Sequence, residues 1–167
     1  MKSFRTRTLG FTMIEIMIVM TIIGLIVGMG GMAYSNAVRQ GRDARRKVDL
    51  DQIRSALELY RSNETDATYP TSTSGTPPYL SQALVTSYIK VPMDPSNKKS
   101  YYYTSSQSDG SACGFAATYC RDYTLATYLE TAKVSSDCAG VPDLSCYGAN
   151  GSTAVDCNYC VGPLGEK

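Results

Sequence analysis

Polar and apolar positions divide this chain at Arg39. Between Glu15 and Arg39 runs a stretch of about 23 residues without a charge, longer than the roughly 20 that a helix needs to cross a bilayer. Around and beyond Arg39 the apolar residues recur at three- and four-residue steps: Ala37, Gly41, Ala44 and Val48, then Leu50, Ile53, Leu57 and Tyr60. That spacing predicts an amphipathic helix whose opposite face carries Arg42, Arg45, Arg46, Asp49 and Glu58. Joined to the apolar run, it predicts one helix over Phe11–Arg61, about 75 Å long at 1.5 Å per residue. A single apolar stripe in the second half needs a cover. A sheet lying on the helix fits better than a coiled-coil stalk, because no heptad pattern is sustained.

After the helix the pattern shortens. Asn63–Pro78 is rich in Thr, Ser, Pro and Gly and reads as a loop. Leu80, Ala83, Leu84 and Ile89 predict a short helix, and Pro92 and Pro95 in "VPMDPSN" stop regular structure and make a turn. Ser100–Thr104 and Asp122–Leu129 have strand composition, the second with alternating Tyr123, Leu125, Thr127 and Leu129. They bracket a Ser/Gly-rich excursion holding Cys113 and Cys120, and residues after Lys133 read as irregular. The expected class is α+β: a long N-terminal helix, membrane-spanning in its first half and amphipathic in its second. It packs on a small antiparallel sheet with a disulfide-rich irregular C-terminal region.

Composition narrows the chemistry. The 167 residues carry a formal net charge of +1 and no histidine, which removes the commonest general base and zinc ligand. No catalytic constellation is visible, so the chain does not read as an enzyme, and no cofactor or metal is expected. Tyr34–Arg61 is basic, and the part after Ser62 is mildly acidic and tyrosine-rich, which is no nucleic-acid-binding pattern. Interleaved Asp43, Asp49 and Asp51 make Arg39, Arg42, Arg45, Arg46 and Lys47 a solvated or subunit-pairing helix face. Asp137, Asp143 and Asp156 match no recognised calcium loop.

All six cysteines fall between Cys113 and Cys160, a distribution that points to an oxidising compartment and structural disulfides. Six cysteines allow fifteen pairings. The local closures Cys113–Cys120 and Cys138–Cys146 are the first expectation. Cys157-x-x-Cys160 also has the spacing of a redox dithiol or half a zinc site, but it lacks a βαβ context and further thiolates.

Lys2, Arg5 and Arg7 precede the apolar run and no acid does. Basic residues on this side are expected to stay in the cytoplasm, with the C-terminal body outside. The apolar stretch is too long for an ordinary secretory signal, and no small-x-small site follows it. The residues "LGFTMIEIMIVMTIIGLI" resemble the prepilin signature of type IV pilins and type II secretion pseudopilins: a basic leader, Gly10, Phe11, Thr12, and Glu15 as the fifth residue after the cut. "RDARRKVDLDQIRSALELYRSN" extends the likeness to the helix continuation of such proteins. "PMDP" resembles a turn that precedes the sheet in several pseudopilins.

The resemblance implies a cleaved leader at 1–10, an assembly helix at 11–38, its amphipathic continuation at 39–61 and an extracellular head at 62–167. It implies cutting between Gly10 and Phe11 and N-methylation of Phe11 by a prepilin peptidase. It also implies a filament-assembly role for Glu15, paired with a neighbour's terminal amine. Gly24, Gly28, Gly30 and Gly31 either let helices approach closely or form a segment that melts when the subunit leaves the bilayer. Met32 stands where the family often has a proline. The implied partners are further copies or other pilins, the peptidase, a pilus or secretion assembly platform, and the membrane before assembly. Two other functional classes fit the residues: a monomeric, signal-anchored binding protein outside the cytoplasm, and a surface thiol oxidoreductase using Cys157 and Cys160.

Overall fold

The structure is a computed structural model that describes residues 10–72, 78–85, 87–109, 111, 113, 119–132, 138, 145–149, 151 and 155–166. The side chains of 30–32, 83–84 and 165–166 lie outside that description. So do the leader's Lys2, Arg5 and Arg7, together with Asp137 and Asp143.

A single helix, α1, runs over Met13–Asn63, two residues later at each end than the periodicity predicts. The chain forms two compact units, residues 1–38 and 39–167, and α1 contributes to both. In the first unit every described side chain from Phe11 to Val38 is exposed. This helix is long and apolar enough to cross a membrane. The hydroxyl of Thr21 donates to the Ile18 carbonyl at 2.7 Å, so a polar group within the apolar run is satisfied by the helix itself.

The second unit has its own core. Leu50, Ile53 and Leu57 of α1 are fully buried with Tyr103, Tyr123, Leu125 and Val161. Burying each such side chain is worth roughly 1.5–3 kcal/mol. Their cover is a four-stranded antiparallel sheet of β1 (Tyr102–Ser106), β2 (Asp122–Thr127), β5 (Tyr159–Gly162) and β6 (Gly165–Glu166), neighbours in that order. A separate two-stranded ladder pairs β3 (Ser145–Cys146) with β4 (Val155–Asp156). A four-residue helix, α2 (Gln82–Val85), stands where a longer one is predicted; its last residue, Val85, is buried, as is Leu80 just before it.

Three expectations are corrected here. The tail is not wholly irregular: β5 and β6 complete the main sheet beyond β2. β2 does not alternate between a core face and a wet face, because Thr124 and Ala126 are buried as well. Ala126 packs with Cys146, Cys157 and Cys160 in a second cluster on the far face. Finally, Cys113–Cys120 forms as expected, but Cys138 pairs with Cys160 and Cys146 with Cys157, so the Cys138–Cys146 closure does not exist. Sheet pairing decides this. Cys160 lies opposite Ala126, and the β3–β4 ladder holds Cys146 beside the segment entering β5.

Candidate functional site

The residues expected to carry function begin at the start of α1. Gly10 and Phe11 are non-helical and exposed, Phe11 to 80 %. Thr12 is the N-cap. Its carbonyl accepts the Glu15 and Ile16 N–H groups at 3.2 and 3.3 Å, and its hydroxyl oxygen also accepts the Glu15 N–H, at 3.3 Å. Glu15 therefore sits in the first turn of α1, where the positive end of the helix dipole favours a carboxylate. Thr-x-x-Glu before an apolar run is a capping-box pattern, a signal present in the sequence and not read as one.

Gly24 and Gly28 lie farther along α1, and a Cβ built on either would meet nothing within 4 Å. Among the described residues, nothing packs so closely that these positions need a glycine. The helix continues without a break through Gly24, Gly28, Gly30 and Gly31.

Over residues 39–49 the structure overturns the predicted stripe. Ala37, Gly41, Ala44 and Val48 are exposed, while Asp43, Arg46 and Asp49 are buried. The buried face runs 43, 46, 50, 53, 57, still in steps of three and four, but it opens with charges. Arg46 is 1 % exposed and is ringed by carboxylates. Its Nε donates to Asp94 Oδ2 at 2.6 Å, and its Nη1 donates to Asp43 Oδ1 at 2.6 Å and Glu130 Oε1 at 3.0 Å. Arg42 forks onto the two oxygens of Glu130 at 2.8 and 2.5 Å. Asp43 also accepts the backbone N–H groups of Glu130 and Thr131 and the Thr131 hydroxyl. Asp94 closes its own turn, accepting the N–H groups of Ser96 and Asn97.

This network ties two separate pieces to α1: the Asp94 turn and the segment that follows β2 at Glu130 and Thr131. Two guanidinium groups face three carboxylates. A buried ion pair is tolerable only when its remaining hydrogen-bonding capacity is met, and here it is. Burial pushes the Asp43 carboxyl up, but the bonds from Thr131, from the Glu130 and Thr131 backbone and from Arg46 outweigh it and hold the pKa below the ordinary value. Glu130 is held low chiefly by its bond from Arg42, against burial, and further by Arg46. Nearby, Tyr101 donates to Asp49 at 2.7 Å, and burial together with that carboxylate raises the phenol well above its usual range.

The basic neck therefore does not face solvent as a block. Arg42 and Arg46 are bound to carboxylates of the second unit, and Lys47 Nζ lies 4.7 Å from the centre of the Tyr159 ring. Arg39 and Arg45 are exposed. Cys157 and Cys160 are each bonded to a different cysteine, so the C-x-x-C spacing holds no dithiol here.

Residues 5–31 match the family model of the prokaryotic N-terminal methylation motif, the signature of prepilin-type cleavage in type IV pilins and pseudopilins. The match begins in the basic leader and ends within the apolar part of α1. No curated protein and no solved structure matches the chain.

Proposed function

We propose that this chain is the precursor of a structural subunit that polymerises into a type IV pilus-like filament or secretion pseudopilus. The observation that carries the reading is the methylation motif at 5–31 lying over a helix whose described apolar side chains are exposed up to Val38. Before assembly α1 spans the cytoplasmic membrane, with the basic leader inside and the head outside. A prepilin peptidase removes residues 1–10 and N-methylates Phe11. An assembly platform then draws the subunit out of the bilayer, and lipid contacts along α1 are exchanged for contacts with the helices of other copies or other pilins. Gly24, Gly28, Gly30 and Gly31 supply close approach or local loosening in that step.

Glu15 acts as the register device. A carboxylate in hydrocarbon costs roughly 2.5–3.5 kcal/mol, and the cut creates a cationic amine on Phe11. A neighbour's amine neutralises Glu15 only when two subunits stack in the right register. The head paves the outside of the filament and presents its adhesive or contact surface.

Mass spectrometry of the N-terminal peptide from protein recovered at the cell surface tests the reading. The expected mature chain begins at Phe11 and carries one added methyl group. A chain that retains the leader overturns it and leaves a signal-anchored surface protein.

A further inference from the structure

We infer that Thr12 is a positioning residue for the leader cut: as the N-cap it starts α1 at Met13 and so holds the Gly10–Phe11 peptide bond in accessible, non-helical backbone. The inference rests on the proposed cleavage and adds the feature of the substrate that makes the bond cleavable.

Hydrolysis adds the hydroxyl of water to the Gly10 carbonyl carbon, breaks its bond to the Phe11 nitrogen, and leaves a Gly10 carboxylate and a Phe11 amine. The Gly10 carbonyl must be open to attack. Were α1 extended by one turn, that carbonyl would accept the Ile14 N–H, and the Phe11 carbonyl would accept the Glu15 N–H. In the structure both the hydroxyl and the carbonyl of Thr12 take the Glu15 N–H instead, and Gly10 and Phe11 lie outside the helix. Gly10 supplies an independent second indication. A Cβ there would meet nothing within 4 Å, so packing does not call for glycine, yet glycine resists helix extension by roughly 1 kcal/mol relative to alanine. The scissile bond is thus flanked by the cap on one side and a poor helix former on the other.

Loss of the cap in water would fray the helix. Where the start of the apolar run enters hydrocarbon, no water is there to accept from the freed N–H groups, and the nearest acceptors are the upstream carbonyls. The helix then grows backward over Phe11 and Gly10, which buries the bond in a turn.

The test uses the full chain in membranes with its prepilin peptidase and follows leader release over time for Thr12→Val, Thr12→Ser and Thr12→Asn. Valine keeps the shape of threonine and lacks the acceptor, whereas asparagine differs in shape and caps well. The expected result is a cut slowed roughly fivefold in Thr12→Val, the equilibrium factor that one N-cap bond represents, with Ser and Asn variants within twofold of the parent. Uncapped Thr12→Val that is cut at the parental rate overturns the inference. So does a pattern in which Ser is cut and Asn is not, because the peptidase would then be reading the hydroxyl itself. A Thr12→Asn chain whose Glu15 amide exchanges faster than the parent's, and which is nevertheless cut at the parental rate, would likewise overturn it, because the cap would then be lost without effect on the cut. A parent chain that is never cut at Gly10–Phe11 refutes the proposed function instead, so the two failures are distinct.

Discussion

At position 46 a guanidinium with almost no contact with water is surrounded by Asp43, Asp94 and Glu130. Removing one side of such a network leaves charges buried and unpaired, at a cost of about 3–5 kcal/mol. Arg46→Met is expected to lose that much stability at pH 7, measured by denaturant unfolding of the full chain in detergent with tyrosine absorbance as the signal. The pH dependence separates this cause from simple loss of packing. The pKa values of Asp43 and Glu130 are depressed in the folded chain. Their stabilisation is therefore full above the ordinary carboxyl range near pH 4 and is lost as pH falls through the lower folded values. In Arg46→Met burial still pushes Asp43 up while one partner is gone, so it takes a proton at higher pH. The gap between variant and parent should shrink on going from pH 7 toward pH 4. A gap that stays constant across that range would assign the loss to packing alone.

Among the elements, the long helix was legible from its periodicity and the first two strands from their composition, the second also from its alternation. Leu50, Ile53 and Leu57 repeat at helical steps, and Tyr123 and Leu125 alternate. The charged start of the buried face was not legible, since a hydropathy pattern assigns Asp43 and Arg46 to water unless their partners 48 and 87 residues away are known. β5 and β6 escaped for another reason. Tyr159–Gly162 is four residues long, buried on both faces, and runs into a Pro-Leu-Gly turn, so it offers neither alternation nor length. What holds this late strand is the Cys138–Cys160 bond and the bond from Arg54 to the Pro163 carbonyl at 2.9 Å. Cys138–Cys160 closes a separation of 22 residues and Cys113–Cys120 one of 7. On the chain-entropy account the longer closure is worth about 1 kcal/mol more. Replacing Cys138 and Cys160 by alanine should therefore lower the melting temperature more than the same change at Cys113 and Cys120. Equal losses would mean that strain or residual structure outweighs loop length.

For the whole molecule, the division at Val38 separates two kinds of surface. Residues 11–38 expose Ile, Leu, Val, Met and Phe side chains along the helix, whereas the described residues of 39–167 enclose a core of their own and leave only scattered large apolar groups uncovered, Val48, Leu59, Met93, Tyr119 and Leu164 among them. A contiguous apolar surface of that extent needs lipid or protein to cover it; a scatter of single exposed side chains does not. The part of α1 that remains in a chain of residues 39–167 keeps its attachments to the rest of that unit, among them the Arg46 network, the Leu50, Ile53 and Leu57 core and the Arg54 bond to the Pro163 carbonyl. A protein comprising residues 39–167, secreted into an oxidising compartment, is therefore expected to fold as a soluble monomer with the same three disulfides. Sedimentation and disulfide mapping by mass spectrometry check this. Monomeric heads beside filaments or detergent-dependent assemblies of the full chain would assign self-association to the N-terminal helix. Heads that associate tightly on their own would move the principal subunit contact out of that helix and onto the sheet-covered unit.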